Sequence, residues 1–431
     1  MSLLPAKPLP DEVRYLLTTD AIRERSENIL NAVESGQSNY FTVDRGQLEA
    51  CADEVIKTTL RQYPDLQIPY HSRWRHFEVA GLDRYSTFRM NFEIGSTARP
   101  APTPHDRARA EIDLAVVSVL LDAGAGADWR YSEPAFPNAP PVRGGARQTP
   151  LQRSEGLGVA SFHMFMSGAF SSNPRNPMQA DAQGLAELTE SRLARGFQVR
   201  KGNPLVGVIG RLALLQRLAR AMQAQPELFG RHPRPGGLFD TLTQNGQRHE
   251  IKAEEILSVI LQAFASIWPA ENQFMGHAVG DCWPHRLAGG TGPCAGWVPI
   301  HKLSQWLTYS LLEPFERAGI TVTDLDALTA LAEYRNGGLL IDMNVINWGD
   351  PTAADAEYIP ADEAVIEWRA LTLALMTPLA QLIRAKLNRD AASLPLAKIL
   401  EGGTWAAGRA IAQQRRGGLP PITIASDGTV F

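Results

Sequence analysis

The residue types best suited to chemistry fall in short groups along the chain. In Tyr70-His-Ser-Arg-Trp-Arg-His-Phe77, two arginines and two histidines stand among aromatic rings. Forked guanidinium donors, titratable imidazoles and stacking faces within one stretch suit a phosphate or a polar ring, which marks His71, Arg73, Trp74, Arg75 and His76 as binding candidates. The alternative is a surface turn anchored by Trp74 and Phe77. In Leu121-Asp-Ala-Gly-Ala-Gly-Ala-Asp-Trp-Arg-Tyr131, Asp122 and Asp128 are candidates to grip sugar hydroxyls. The glycines lack the strand before and helix after that a dinucleotide fingerprint requires, so they read as a helix C-cap and turn.

A second set combines Lys302 with Leu331-Ala-Glu-Tyr-Arg-Asn-Gly-Gly338, ending at Asp342. A lysine at a helix start and a carboxylate at a helix-to-turn junction 31 residues later can meet across a hairpin. When an N-glycosidic bond breaks, positive charge develops on the sugar, and a buried carboxylate can stabilise it or position water. The competing reading is an ordinary buried ion pair. Gly280-Asp-Cys-Trp-Pro-His285, with His277 and Cys294 nearby, holds zinc-ligand types but no C-x-x-C or H-E-x-x-H spacing, so no metal and no cofactor are expected. Asp281, Trp283 and His285 either line a pocket or cap a loop. Glu155 lies in Arg153-Ser-Glu-Gly-Leu157, ahead of an apolar run in which His163 reads as a core histidine.

These groups need a scaffold, and apolar spacing near i, i+3, i+4, i+7 predicts a mainly α protein with a few short strands. Helices are expected at 19–35, 45–63, 111–122, 184–195, 206–224, 252–267, 303–318 and 361–387, with kinks at Pro314 and Pro378. In the 206–224 helix Leu214, Leu215 and Leu218 face the core while Arg211, Arg217 and Arg220 stay on wetter faces. Gly124 is expected to take the left-handed position after 111–122. Strands are expected at 196–200 and 422–425, and long loops at 97–106, 132–150, 171–178, 229–238 and 286–299.

With 431 residues, no repeat and no composition shift, residues 1–431 read as one helical domain. A net charge of −4 without a basic block argues against nucleic acid as a partner. The most apolar long stretch, 365–387, carries Glu367, Arg369, Arg384 and Lys386, which argues against a membrane span. Three cysteines make no disulfide framework, and no leader-type apolar run follows Met1, so the expected compartment is the cytoplasm. Monomer and homodimer both stay open.

The motifs resemble the uracil-catabolism protein family of the URC pathway, its fourth protein, long described as a domain of unknown function. The resemblance rests on His71–Phe77, Leu120-Leu-Asp-Ala-Gly-Ala-Gly126, Arg153–Leu157, Trp283-Pro-His285, His301-Lys-Leu-Ser-Gln-Trp-Leu-Thr-Tyr309 and Glu333–Gly338, which stand in the family's order. It implies a pathway in which uracil becomes its ribonucleotide, the ring is opened, and a ribosylurea must yield urea. Lys302-Leu-Ser-Gln305 and Ala332-Glu-Tyr-Arg335 also resemble the queuosine-nucleotide N-glycosyl hydrolases, whose helical fold is similar to that of DNA glycosylases. That second family has Asp where this chain has Glu333, which displaces the carboxylate by about 1 Å.

The resemblance thus implies a hydrolase that cleaves ribosylurea, or its 5′-phosphate, to urea and sugar. Glu333 would act as the catalytic carboxylate with Lys302 as partner, and Asp342 or Asp122 as the alternative carboxylate. Arg73, Arg75 and Arg335 would hold phosphate, Asp83 or Asp122 the ribose, and Trp74, Trp129 or Trp283 would wall the pocket. His76, His285 or Glu155 would protonate the leaving urea. His71, Asp281 and Asn336 complete the expected lining. The alternative is a non-catalytic nucleotide-binding or scaffold protein of the same pathway.

Overall fold

Eleven helices of nine residues or more run through the described parts of the chain, residues 9–95, 101–134, 150–268 and 272–425 of a computed structural model. They are α1 (Thr19–Glu34), α2 (Leu48–Gln62), α3 (Arg84–Gly95), α4 (Pro104–Leu120), α5 (Arg153–Met166), α6 (Val208–Gln223), α7 (Ala253–Phe264), α8 (Lys302–Arg317), α9 (Tyr334–Asp342), α10 (Glu363–Leu387) and α11 (Trp405–Arg416). The strands are two or three residues long and pair only two at a time, as in Cys282–Pro284 against Trp297–Pro299 and Phe41–Val43 against Ile346–Trp348. The protein is mainly α.

Local chemistry explains where the helices start. Thr103 and Asp106 form a reciprocal capping box and Pro104 occupies the first turn, so α4 begins well before the 111–122 segment that periodicity suggests. From Ala110 to Leu120 this helix is buried on every face, which erases the amphipathic signal. Its two acids survive burial because both are bonded. Glu111 accepts from Tyr85 (2.7 Å) and Arg317 (3.1 Å), and Asp113 from Arg234 Nε (2.9 Å) and the N–H groups of Ala180 (3.0 Å) and Gly236 (2.7 Å).

α8 packs along α4, α1 and α2 flank α10, and α9 lies against α11. The last pair touches closely at Gly408, where an added Cβ would lie 2.1 Å from the Arg335 carbonyl oxygen. Backbone cannot retreat as a side-chain tip can, so Gly408→Ala is expected to cost about 1–3 kcal/mol, read as a lower denaturation midpoint. An unchanged midpoint would mean that α9 and α11 are not held in this contact.

Several expectations change. The 196–200 segment is no strand: Gln198 has φ +56° and Arg200 makes only an isolated bridge to Asn203. The 184–195 segment is two short helices, Ala182–Ala186 and Glu190–Gly196. Helices α3, α5, α9 and α11 stand where none was expected; Pro314 and Pro378 lie inside α8 and α10. Arg211 is buried, not wet, and donates to the carbonyls of Leu121 (2.9 Å), Ala123 (2.8 Å) and Gly124 (3.1 Å). The glycine turn therefore cradles an internal guanidinium, and the left-handed residue in it is Gly126 (φ +82°), not Gly124. Most of the 132–150 loop and part of 97–106 lie outside the described residues. Among the described residues no helix is long and apolar enough to cross a membrane, and all three cysteines are buried and unbridged.

Candidate functional site

Five elements meet here: the turn at Arg73–Phe77, the end of α4, the start of α5, and the starts of α8 and α9. Arg73 is fully buried, with its Nε donating to Ser118 Oγ (2.6 Å) and its Nη1 to Asp122. Asp122 also accepts from Ser154 Oγ (2.9 Å), which ties α5 to the end of α4. Gly158 permits the approach, since a Cβ there would lie 2.9 Å from both Arg73 Nη2 and His76 Cβ. Burial lowers the Arg73 pKa and Asp122 opposes the shift; an unpaired guanidinium at this depth would be untenable.

Lys302 is fixed at the start of α8 by its neighbours. His301 sits at φ +49°, a region disfavoured for side-chain-bearing residues, with its ring bonded to the Leu16 carbonyl (2.9 Å). Asp281 accepts the Lys302 N–H (3.0 Å) and is gripped by Arg369 at 2.9 and 2.7 Å and by Trp283 Nε1 at 2.7 Å. Burial pushes the Asp281 pKa up, but Arg369 and these hydrogen bonds outweigh it and hold the carboxyl below its usual range. The Lys302 ammonium lies 5.8 Å from the Trp306 ring centroid, one turn along α8. Burial pushes its pKa down, and among the charges that oppose this Glu333 acts most strongly, followed by Asp122. Taken as a whole residue, Lys302 is only partly buried.

Glu333 begins α9; it does not end a helix. Its backbone is extended, and its carboxylate accepts the N–H groups of Arg335 (2.8 Å) and Asn336 (2.6 Å). Two donors and the positive end of the helix hold the charge in one orientation. Glu333 and Lys302 make no direct ion pair among the described contacts, but Glu333 acts on Lys302 through its charge. Asp342 lies at the far end of α9, about 13 Å along the axis, where Arg416 clamps it at 2.8 and 2.6 Å.

The remaining expected residues divide. His76 is buried edge-on to Trp306 (5.7 Å), its Nδ1 has no partner, and burial reinforced by Arg73 drives its pKa well down. His71 pairs with Glu401 (2.6 Å) beside the Trp405 ring. Glu155 is at the rim with Arg409 (2.8 Å). Arg75 is committed to Glu78 (3.2 Å) and Glu313 (2.8 Å). Asn336 is a buried bracket between the Leu331 carbonyl and Thr404.

Others lie elsewhere. Trp74 bonds the Ser310 carbonyl and Trp129 the Phe197 carbonyl, both as core residues. Trp283 serves Asp281. Asp83 caps α3 on the surface through Ser86 (2.9 Å). Asp128 is exposed. Residues that the sequence reading did not single out for the cleft are Ser118, Ser154, Arg153, Trp306 and Arg409. Only the i, i+4 spacing of Lys302 and Trp306 offered a local signal.

His285 belongs to a separate buried pair, its Nε2 lying 3.6 Å from Glu367. Burial pushes the His285 pKa down to about 4 and that of Glu367 up to about 7. A carboxyl that is more basic when folded contributes most below its unfolded value and loses that contribution as pH rises through about 7. Between pH 5 and 8 the melting temperature of Glu367→Gln is therefore expected to fall less steeply than that of the wild type. Parallel pH curves would contradict the assignment. Among the described residues no three His, Cys, Asp or Glu side chains are grouped to hold a metal ion.

A family model described as a protein of unknown function (DUF1688) matches residues 15–431. The chain is 34% identical to uracil catabolism protein 4 of Lachancea kluyveri, with 97% of this chain and 99% of the relative covered. It is also 34% identical to protein urg3 of Schizosaccharomyces pombe, with 98% and 99% covered.

Proposed function

Because the chain belongs to the DUF1688 family, we propose that it acts in uracil breakdown as an N-ribosyl hydrolase, releasing urea from ribosylurea or its 5′-phosphate. The observation that carries this reading is the electrostatic coupling of Glu333, aimed by two backbone N–H groups, to Lys302, an ammonium made more acidic by burial.

The roles follow from charge. As the C1′–N bond lengthens, the electron pair goes to the urea nitrogen and positive charge collects on C1′ and the ring oxygen. Glu333 stabilises that charge and takes a proton from the water that attacks C1′. Urea leaves poorly as an anion, so Lys302 gives the leaving nitrogen a proton, a transfer favoured by its lowered pKa. Water and ribosylurea become urea and ribose, and a proton passed from Glu333 to Lys302 restores both. Asp122, oriented by Arg73 and Ser154, would accept ribose hydroxyls in this reading, and Trp306, beside Lys302, would supply an apolar wall.

The non-catalytic alternative draws on one feature, that both Glu333 oxygens already accept backbone N–H groups as a helix cap does. Each carboxylate oxygen has a second lone pair, so capping leaves room for chemistry. Following urea and sugar release from synthetic ribosylurea by proton NMR separates the two: release supports the hydrolase, and binding without release supports the binding protein.

A further inference from the structure

Arg153 begins α5 and Arg335 lies in the first turn of α9, yet their side chains meet at one atom. Arg153 Nη1 donates to the Gly418 carbonyl oxygen over 3.4 Å and Arg335 Nη1 to the same oxygen over 3.2 Å. Neither forms an ion pair with a carboxylate among the described residues. Neighbouring cations are compensated: Arg409 has Glu155 at 2.8 Å, and Arg416 has Asp342 at 2.8 and 2.6 Å. Burial, with Arg153, Arg409 and Arg416, pushes the Arg335 pKa down against the pull of Glu333. Two guanidiniums within reach of one oxygen repel each other; Arg153 is exposed and hydrated, whereas Arg335 is half-buried with only Glu333 opposing its burial.

The backbone also departs from its preferences here. Arg153 adopts φ +52°, and Gln152 before it provides no side-chain cap to α5. A doubly charged oxyanion would balance both guanidiniums and meet their forked donors. It would sit beside Asp122 and Glu333, because Ser154, next to Arg153, holds Asp122 and Glu333 accepts the Arg335 N–H. By contrast Arg73 and Arg75, expected from the sequence to bind phosphate, are already neutralised by Asp122 and by Glu78 and Glu313.

We propose that Arg153 and Arg335 bind a terminal phosphate dianion, the 5′-phosphate of the sugar, so that the substrate is a phosphoribosylated urea and not the free riboside. Naming the sugar rests on the hydrolase reading; the anion site does not. Calorimetric titration of the full chain with ribose 5-phosphate, ribose and inorganic phosphate tests it without turnover. Ribose 5-phosphate is expected to bind far more tightly than ribose. Arg153→Gln and Arg335→Gln should each weaken it by roughly 10- to 100-fold, while Arg175→Gln, on an exposed loop, leaves it unchanged. Arg153→Gln should melt no lower than wild type, since no ion pair is lost. Equal binding of ribose and ribose 5-phosphate, or affinities unmoved by either substitution, would overturn the proposal. No urea release by wild type alongside arginine-dependent phosphate binding would defeat the hydrolase reading and leave the anion site standing.

Discussion

Glu333→Gln is expected to lower kcat for urea release by roughly 10²- to 10⁴-fold, with KM nearly unchanged and the fold intact. The substitution keeps an amide oxygen that can accept one of the two N–H groups at 2.8 and 2.6 Å, so its stability cost should stay near about 1 kcal/mol, that of a weakened cap. It removes the negative charge, which is what the developing cation on the sugar requires and what a neutral amide cannot supply. Glu333→Asp would retain charge but withdraw it by about 1 Å and should fall between the two. Steady-state kinetics with thermal melting of the same samples separates loss of chemistry from loss of fold.

Lys302→Met is expected to move stability and activity in opposite directions. Burial depresses the Lys302 pKa, so the folded state disfavours its proton relative to the unfolded chain. The charged ammonium therefore weakens the fold at neutral pH, and the penalty fades as pH rises through the lowered folded value toward the ordinary 10.5. An apolar side chain of similar length removes that penalty. The variant should be more stable at pH 7 by about 1 kcal/mol, at the low end for buried charges because Glu333 and Asp122 offset part of the burial penalty. The gain should shrink toward pH 10. Activity should fall at least about 100-fold through loss of the proton donor. A less stable variant would identify Lys302 as a structural residue, and full activity would remove it from the mechanism.

What the sequence disclosed follows from the range of each interaction. The stripe of α6 and the apolar faces of α8 and α10 are local patterns and were readable. α5, with four glycine, alanine or serine positions among its packed residues at Gly156, Gly158, Ala160 and Ser161, and α11, with Ala406, Ala407 and Gly408, pack through small residues and carry little periodic signal. Among site residues, Lys302 and Glu333 stood out because each sits in a short polar motif. The Arg73–Asp122 pair joins positions 49 residues apart, and the meeting of Arg153 with Arg335 spans α5 and α9; neither follows from spacing. Aromatic type is equally mute about place, for Trp74 and Trp129 fill core while Trp306, one turn from Lys302, lines the cleft. Asp342 was the alternative to Glu333 in sequence, and its place at the far end of α9 under the Arg416 clamp separates them.

The most direct test of the central claim is proton NMR of wild type and Glu333→Gln, each incubated with ribosylurea and with its 5′-phosphate. The account predicts free urea and ribose 5-phosphate from the phosphorylated compound with wild type, and almost none with Glu333→Gln. No urea from either compound with wild type, or equal release by the two proteins, would contradict it.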